Sequence, residues 1–164
     1  MLKFLSGIVV IAFTTFCGYL LARKYRQRKL FFTQLKEFNE RFLNEIAYYR
    51  RPIGEFIAGY AYQGEFNGLL QGFFFNIGAH SPNDRRLFDL SEYTFLTKEE
   101  QSVVEHYFLM LGKGDSASQK SYFSSVKETL SKLQTESENA CKRYGDLYVK
   151  IGFLCGLLIL ILII

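Results

Sequence analysis

Residue types that perform chemistry in proteins are sparse in this 164-residue chain. His80 and His106 stand alone, and a lone histidine in a helical protein is usually structural or solvated. The sequence contains no H-E-x-x-H, C-x-x-C or G-x-S-x-G motif and no glycine-rich phosphate loop. The cysteines, Cys17, Cys141 and Cys155, are an odd number and are interpreted as free thiols. We therefore expect no enzyme, no cofactor and no metal site.

One stretch, Gly112-Lys113-Gly114-Asp115, places glycines and a lysine before a predicted helix, as a phosphate site would. Asp115, however, occupies the position where the anion would bind. We interpret the stretch as two caps, in which Gly112 ends one helix in the left-handed conformation and Asp115 begins the next.

The elements that must position these residues are set by the apolar ends of the chain. Phe4 to Ala22 is uncharged and close to the roughly 20 residues that a spanning helix needs. Ile151 to Ile164 is also uncharged and covers roughly 21 Å, or about 27 Å from Leu147 if Lys150 reaches the lipid headgroups. We predict a transmembrane helix at each end; the alternatives are a buried core helix for the second run and a cleaved signal peptide for the first.

Cations lie beside both apolar runs. The segment from Arg23 to Lys29 holds five cations and no acid. Three more cations lie before the uncharged residues of the second run: Lys142, Arg143 and Lys150. The cluster after the first run is typical of a stop-transfer signal, which favours a retained span. The positive-inside rule then predicts both termini outside the cytoplasm and residues 23–150 inside. Because these segments hold much of the net charge of +4, no nucleic-acid partner is needed to explain it.

Small residues recur along one face of each predicted span. The first span has Gly7, Thr14, Gly18 and Ala22, and the second has the pair Gly152 and Gly156. Small residues four apart let helix backbones approach closely in lipid, so we predict helix packing at the four glycines. Packing within one chain, packing between copies in a homo-oligomer, and chance composition all remain open.

Between the spans, roughly 115 residues remain, enough for one small domain. We predict an all-α protein: a transmembrane helix with its basic flank (1–29), a cytoplasmic helical bundle (30–146) and a C-terminal transmembrane helix (147–164). The bundle helices are predicted from apolar periodicity, proline breaks and caps. They are Phe31–Tyr49 ended by Pro52, Ile53–Tyr62, Asn67–Ile77, a short one near Arg85–Leu90, one from a Thr97/Glu100 capping box to Leu111, and one from Asp115 into the last span. Of Phe73, Phe74 and Phe75, at least one is expected to be exposed.

Four motifs stand in order along the chain. They are Met1-Leu2-Lys3-Phe4-Leu5; Leu43, Glu45, Ile46 and Tyr48 followed by Pro52; Leu111-Gly112-x-x-Asp115-x-x-x-Gln119; and Gly152-x-Leu154-x-Gly156-Leu157-Leu158. With these motifs the chain resembles the stage III sporulation protein AB family of endospore-forming bacteria. The segment from Gly54 to Tyr93 departs from the pattern expected of that family.

The resemblance implies a helical domain similar to the inner-membrane platform subunit of type II secretion and type IV pilus machines. It implies the mother-cell membrane facing the forespore, with most of the chain cytoplasmic. The implied partners are a secretion-type ATPase, stage III sporulation protein AA, and other proteins of the same operon, besides membrane lipid. We therefore predict a platform or adaptor subunit. The alternatives are a pore-forming subunit, and a membrane-tethered ligand-binding module or enzyme.

The partner surface is predicted from helix lengths. The corner at Arg50 and Arg51 and the loop at Gly112, Lys113 and Asp115 should both lie toward the membrane-distal end. We assign partner binding to these residues and to Gln119. The alternative is that Gly112 and Asp115 only cap helices and the arginines are solvated.

Overall fold

The computed structural model describes residues 2–49, 52–79, 90–111 and 113–163, and most of these are helical, with no strand among them. The predicted all-α class is therefore confirmed. The α-helices in the described part of the chain are α1 (Leu2–Asn44), α2 (Ile53–Ala58), α3 (Gly64–Ala79), α4 (Lys98–Met110), α5 (Ser116–Ala140) and α6 (Asp146–Ile163). A π-helical turn follows α1 at Glu45–Tyr49, a second joins α5 to α6 at Cys141–Gly145, and Leu90–Glu92 forms one 3₁₀ turn.

The chain divides into two compact units. The helix-pair unit comprises Met1–Lys29 and Thr135–Ile164, and the aromatic-core unit comprises Leu30–Gln134. Residues 135–146 therefore group with the apolar ends of the chain.

The caps predicted at the starts of α4 and α5 are present. The Thr97 hydroxyl accepts from the Glu100 backbone N–H at 3.2 Å, and the Glu100 carboxylate accepts from the Thr97 N–H at 2.9 Å. This is the reciprocal capping box expected from the sequence. Asp115 Oδ1 accepts from the Ser118 N–H at 3.4 Å before α5. Gly114 has φ +84°, a left-handed conformation that suits glycine, whereas Gly112 lies outside the described residues.

The glycine-rich middle differs from prediction at its helix ends. Helix α2 stops at Ala58 rather than near Tyr62, and α3 begins at Gly64 rather than Asn67. Gly64 has φ +62°, which turns the chain into α3 at low cost only because glycine lacks a Cβ. The helix predicted near Arg85–Leu90 falls mostly outside the described residues. Phe73 is buried and Phe75 is 77% exposed, as the crowding of three successive phenylalanines predicts.

The aromatic-core unit is built around Phe38 of α1. Its ring lies 5.4 to 6.4 Å, centroid to centroid, from rings on α1, α2, α3, α4 and the α2–α3 connection: Phe42, Phe56, Tyr62, Phe66, Tyr107 and Phe108. Beside Phe38, the fully buried Asn39 donates to the Phe123 carbonyl at 3.2 Å and accepts from the Tyr107 hydroxyl at 3.2 Å. Because buried polar groups need partners, this pair fixes the register of α1 against α4 and α5.

Candidate functional site

Within the helix-pair unit, the first part of α1 packs against α6. Gly7 lies against Leu160, Thr14 against Gly152 and Gly156, and Gly18 against the backbone of Tyr148. Residue numbers rise along α1 as they fall along α6, so the two helices are antiparallel. Their numbers add to about 167 at each of these contacts, which defines the register of the pair.

The four glycines predicted to pack helices all lie in this seam. A Cβ built on Gly152 would lie 2.6 Å from the Thr14 carbonyl oxygen, and one on Gly156 would lie 2.8 Å from the Ile11 Cα. Cβ atoms built on Gly18 and Gly7 would overlap the Tyr148 carbonyl oxygen and the Leu160 side chain. The structure thus brings the four glycines together in a seam within one chain, where backbone meets backbone at Gly18, Gly152 and Gly156.

Thr14 brings a polar side chain into the seam. The Thr14 hydroxyl lies within hydrogen-bonding distance of the carbonyls of Val10 and Ile11, at 3.0 and 3.1 Å, so its own helix satisfies it. Ala22, the last residue of the predicted small-residue stripe on α1, is fully buried. Apolar side chains project outward on both helices, including Phe13 (67% exposed) and Leu154 (61% exposed). This distribution is typical of helices that face lipid.

Aromatic and charged residues gather at one end of the pair. The Tyr25 ring lies 5.4 Å from that of Tyr144 and 5.8 Å from that of Tyr148. Arg26 lies 4.0 Å from Asp146 and 5.6 Å from the centre of the Tyr19 ring. Tyrosine and basic residues in such a band are typical of the boundary between membrane and water.

Two helical stretches are long and apolar enough to cross a membrane: Gly7–Tyr49, which contains most of α1, and Ser116–Leu162, which contains α5 and most of α6. Only 17% and 11% of the residues in their most apolar windows are buried. A core helix of a soluble protein would instead be mostly buried. The length, apolar composition and low burial of these helices support the predicted membrane association.

Three of the predicted docking residues are described: Lys113 and Asp115 on the turn between α4 and α5, and Gln119 in the first turn of α5. The Lys113 N–H donates to the Met110 carbonyl at 3.2 Å, and the Gln119 N–H donates to the Asp115 carbonyl at 3.0 Å, which ties the turn to both helices. The hydrogen bond from Ser118 lowers the pKa of Asp115 below its usual value. Lys113 and Asp115 are exposed, and Gln119 is half-buried. Arg50, Arg51 and Gly112 lie outside the described residues.

Contacts between α1 and α5 fix the level of this turn inside the aromatic-core unit. Phe42 lies 4.9 Å from Phe123, ring centre to ring centre, and Lys127 lies 4.0 Å from Glu40, so the helices are antiparallel. Tyr49 is seven residues beyond Phe42, and Ser116 is seven residues before Phe123. The end of the first π-helical turn and the start of α5 therefore lie at the same end of the unit, which we call the tip (Tyr49, Lys113 and Asp115).

A shallow groove between α4 and α5 was not anticipated from the sequence. Its lining is Ser102, Val103, His106, Tyr122, Val126 and Thr129. His106 stands edge-on to the Tyr122 ring at 5.7 Å, and burial raises the pKa of Tyr122. No group of three or more metal-ligating side chains occurs among the residues that the structure describes. His80, the other histidine, lies outside them.

Comparison with known proteins gives one consistent result. A family model described as stage III sporulation protein AB (spore_III_AB) matches residues 3–164. Stage III sporulation protein AB of Bacillus subtilis (strain 168) is 24% identical over 170 residues, a match that covers 99% of this chain and 99% of that protein. No solved structure matches the chain.

Proposed function

Because the chain belongs to the stage III sporulation protein AB family, which its match over residues 3–164 shows, we propose that it is a non-enzymatic platform subunit of a secretion-like complex in sporulation. In this proposal the helix-pair unit anchors the chain in the mother-cell membrane facing the forespore. The aromatic-core unit lies in the cytoplasm and docks a secretion-type ATPase similar to stage III sporulation protein AA, beside other proteins of the same operon.

The observation that carries this proposal is the glycine seam between α1 and α6. It joins the two apolar ends of the chain, so the aromatic-core unit is inserted between two helices that pack on each other. A domain attached at both ends is more restricted in its motion than one attached at a single end, so it can transmit force to a bound motor. The flanking cations favour an orientation with both termini on the outer side.

The docking surface follows from the tip of the aromatic-core unit. Lys113 is exposed there, and Arg50 and Arg51 directly follow Tyr49 in the chain. Lys113, together with two arginines that follow the tip residue Tyr49 in the sequence, would attract an acidic patch on a partner and raise its association rate. The aromatic-core unit as a whole carries 11 cations and 13 acids, so a basic tip would differ from the rest of its surface.

The test of docking is charge reversal at the tip. Arg50→Glu with Lys113→Glu should weaken binding of the ATPase at low salt by more than tenfold, because steering and contact charge are both lost. The control is Lys98→Glu with Lys132→Glu, exposed positions toward the other end of the same unit that give the same change in net charge. Equal loss of binding in both variants, or in neither, would contradict a docking site at the tip.

The topology is tested separately. A reporter that is active only in the cytoplasm, fused after Ile164, should stay silent, whereas one inserted in the aromatic-core unit should be active. Activity after Ile164 would rule out the proposed orientation. Ion flux through reconstituted vesicles would instead favour a pore-forming subunit.

A further inference from the structure

The register of the helix pair places Lys150 at the level of the uncharged segment of α1, and not at the level of the basic segment that follows it. Gly18 meets the backbone of Tyr148 and Val149, and Gly152 meets Thr14 and Gly18, so Lys150 lies level with Cys17 and Gly18. On α1 the uncharged run continues for about four residues past that level, to Ala22, before Arg23 begins the basic segment. Lys150 therefore lies about 8 Å deeper along the pair than Arg23.

The charge of this end is far from balanced by the unit's own acids. The helix-pair unit contains nine cations and three acids, and eight of those cations lie between Arg23 and Lys29 or between Lys142 and Lys150. Two of the acids contact cations of the unit, Glu138 with Lys142 at 2.9 Å and Asp146 with Arg26 at 4.0 Å. Arg23, Lys24 and Lys150 are all exposed. This end of the pair therefore carries more cations than the unit's own acids can neutralise.

We propose that Arg23, Lys24 and Lys150 form a cationic belt that binds acidic phospholipid headgroups and draws their phosphates down to the level of Lys150. The proposal rests on the proposed membrane insertion of the helix pair, and not on ATPase docking. An orientation signal requires only that cations lie on one side of the membrane. The ammonium group of a lysine below the end of the neighbouring apolar run must reach the headgroup level, by extending its stem toward the headgroups or through a bilayer that thins around it, and an acidic headgroup at that level would neutralise its charge.

Continuity with the apolar helices selects lipid as the source of that anion. Phe4 to Ala22 on α1 and the residues that follow Lys150 on α6 are uncharged, so the belt borders an apolar surface that lipid would cover. Lipid phosphates brought down to the level of Lys150 would thin the bilayer locally. Each cation near an acidic leaflet changes lipid affinity by roughly fivefold.

The experiment uses the full chain reconstituted in nanodiscs of equal phosphatidylglycerol and phosphatidylcholine. The lipids that stay with the protein after transfer to detergent are quantified by mass spectrometry. We expect phosphatidylglycerol to be enriched, and the triple variant Arg23→Gln, Lys24→Gln, Lys150→Gln to lower that enrichment at least about threefold. The matched control, Lys98→Gln, Lys120→Gln, Lys132→Gln, removes the same charge from the aromatic-core unit and should leave the enrichment unchanged.

Lys150→Arg and Lys150→Gln separate charge from side-chain shape. Arginine should retain the enrichment, and glutamine alone should lower it. Retention of the two lipids at the bulk ratio by the parent chain, or equal losses in the two triple variants, would overturn the proposal. So would displacement of phosphatidylglycerol by excess inorganic phosphate, which would show recognition of the phosphate group without the lipid. ATPase binding should be the same in the belt variant and the parent, so failure here is distinct from failure of tip docking.

Discussion

The two units of this chain pack helices closely with opposite residue types. In the helix-pair unit, Gly18, Gly152 and Gly156 leave no room for a Cβ, because the backbone of the other helix lies there. In the aromatic-core unit, Gly68 and Gly72 face open space, and large rings around Phe38 fill the interior. Glycine is therefore required along the contact between α1 and α6, whereas Gly68 and Gly72 of the aromatic-core unit are replaceable.

The proposed placement of the helix pair in lipid and of the aromatic-core unit in water accounts for this contrast. In water, burying apolar area stabilises a fold by roughly 25 cal/mol per Å², so large side chains such as phenylalanine contribute most. In lipid, apolar surface gains nothing by leaving the solvent, and helices associate through close contact instead. Glycine allows that contact. The four predictions below test this comparison, beginning with the largest expected effect.

Removing the central ring should destabilise the aromatic-core unit alone. Phe38→Ala should lower its free energy of unfolding by about 3–5 kcal/mol, because the lost ring leaves a cavity among rings on several helices. Thermal unfolding in detergent, followed through the exchange of α4 and α5 amide hydrogens, measures the change. Phe75→Ala, at a position 77% exposed, is the control and should change stability by less than about 0.5 kcal/mol. Similar losses in both variants would mean that Phe38 is not the centre of the core.

Adding side chains to the seam should separate α1 from α6 and leave the core intact. Gly152→Leu with Gly156→Leu would push each helix off the other's backbone, toward the ordinary interaxial distance of about 8–10 Å. Spin labels at the exposed positions Phe13 and Leu154 should report a longer distance in the double variant. Cys155→Leu, at an exposed position in the same helix, should leave that distance unchanged. An unchanged distance in the glycine variant would assign the glycines to composition alone.

Much of the architecture could be predicted because its signals are local. The Thr97 capping box, the Asp115 cap and the break at Pro52 depend on residues within one turn. The exposure of Phe75 follows from three successive rings on one helix. The resemblance to the family is likewise confirmed over nearly the whole chain.

The parts that could not be predicted depend on distant partners or on subtle backbone changes. Asn39 and Tyr107 are 68 residues apart, and no local pattern joins them. The small-residue stripes indicate which faces pack, but the register that brings Lys150 level with Gly18 depends on where the two helices meet.

The π-helical turns at Glu45–Tyr49 and Cys141–Gly145 have ordinary helical composition, because shifting a hydrogen bond by one residue requires no special side chain. The start of α3 at Gly64 was missed because a left-handed glycine and a helix-weakening glycine look the same in a sequence.

Glycines of α3 should respond oppositely to those of the seam. Gly68→Ala and Gly72→Ala should each stabilise the aromatic-core unit by up to about 1 kcal/mol, because alanine favours the helix and its Cβ meets no atom within 4 Å. The melting temperature measures the gain. Gly64→Ala is the contrasting variant and should destabilise, since Gly64 has φ +62° and a Cβ there would lie 2.8 Å from Leu30 Cδ2. Losses at Gly68 and Gly72 would show that their faces are covered in the folded protein.

The smallest effect concerns the start of α5, where a charge rather than a packing contact holds the helix. The hydrogen bond from Ser118 lowers the pKa of Asp115 below its ordinary value of 3.8. A carboxyl whose pKa is lower in the folded state stabilises the fold above its unfolded pKa, and that contribution is lost as the pH falls through the folded value. The melting temperature of the parent should therefore fall relative to that of Asp115→Ala as the pH is lowered through and below 3.8. Asp115→Asn, which keeps a capping oxygen without the charge, should show no such pH dependence relative to Asp115→Ala. If the parent and Asp115→Ala change in parallel over this range, the ionised carboxylate does not contribute to the cap, and Gly114 alone shapes the turn at the tip.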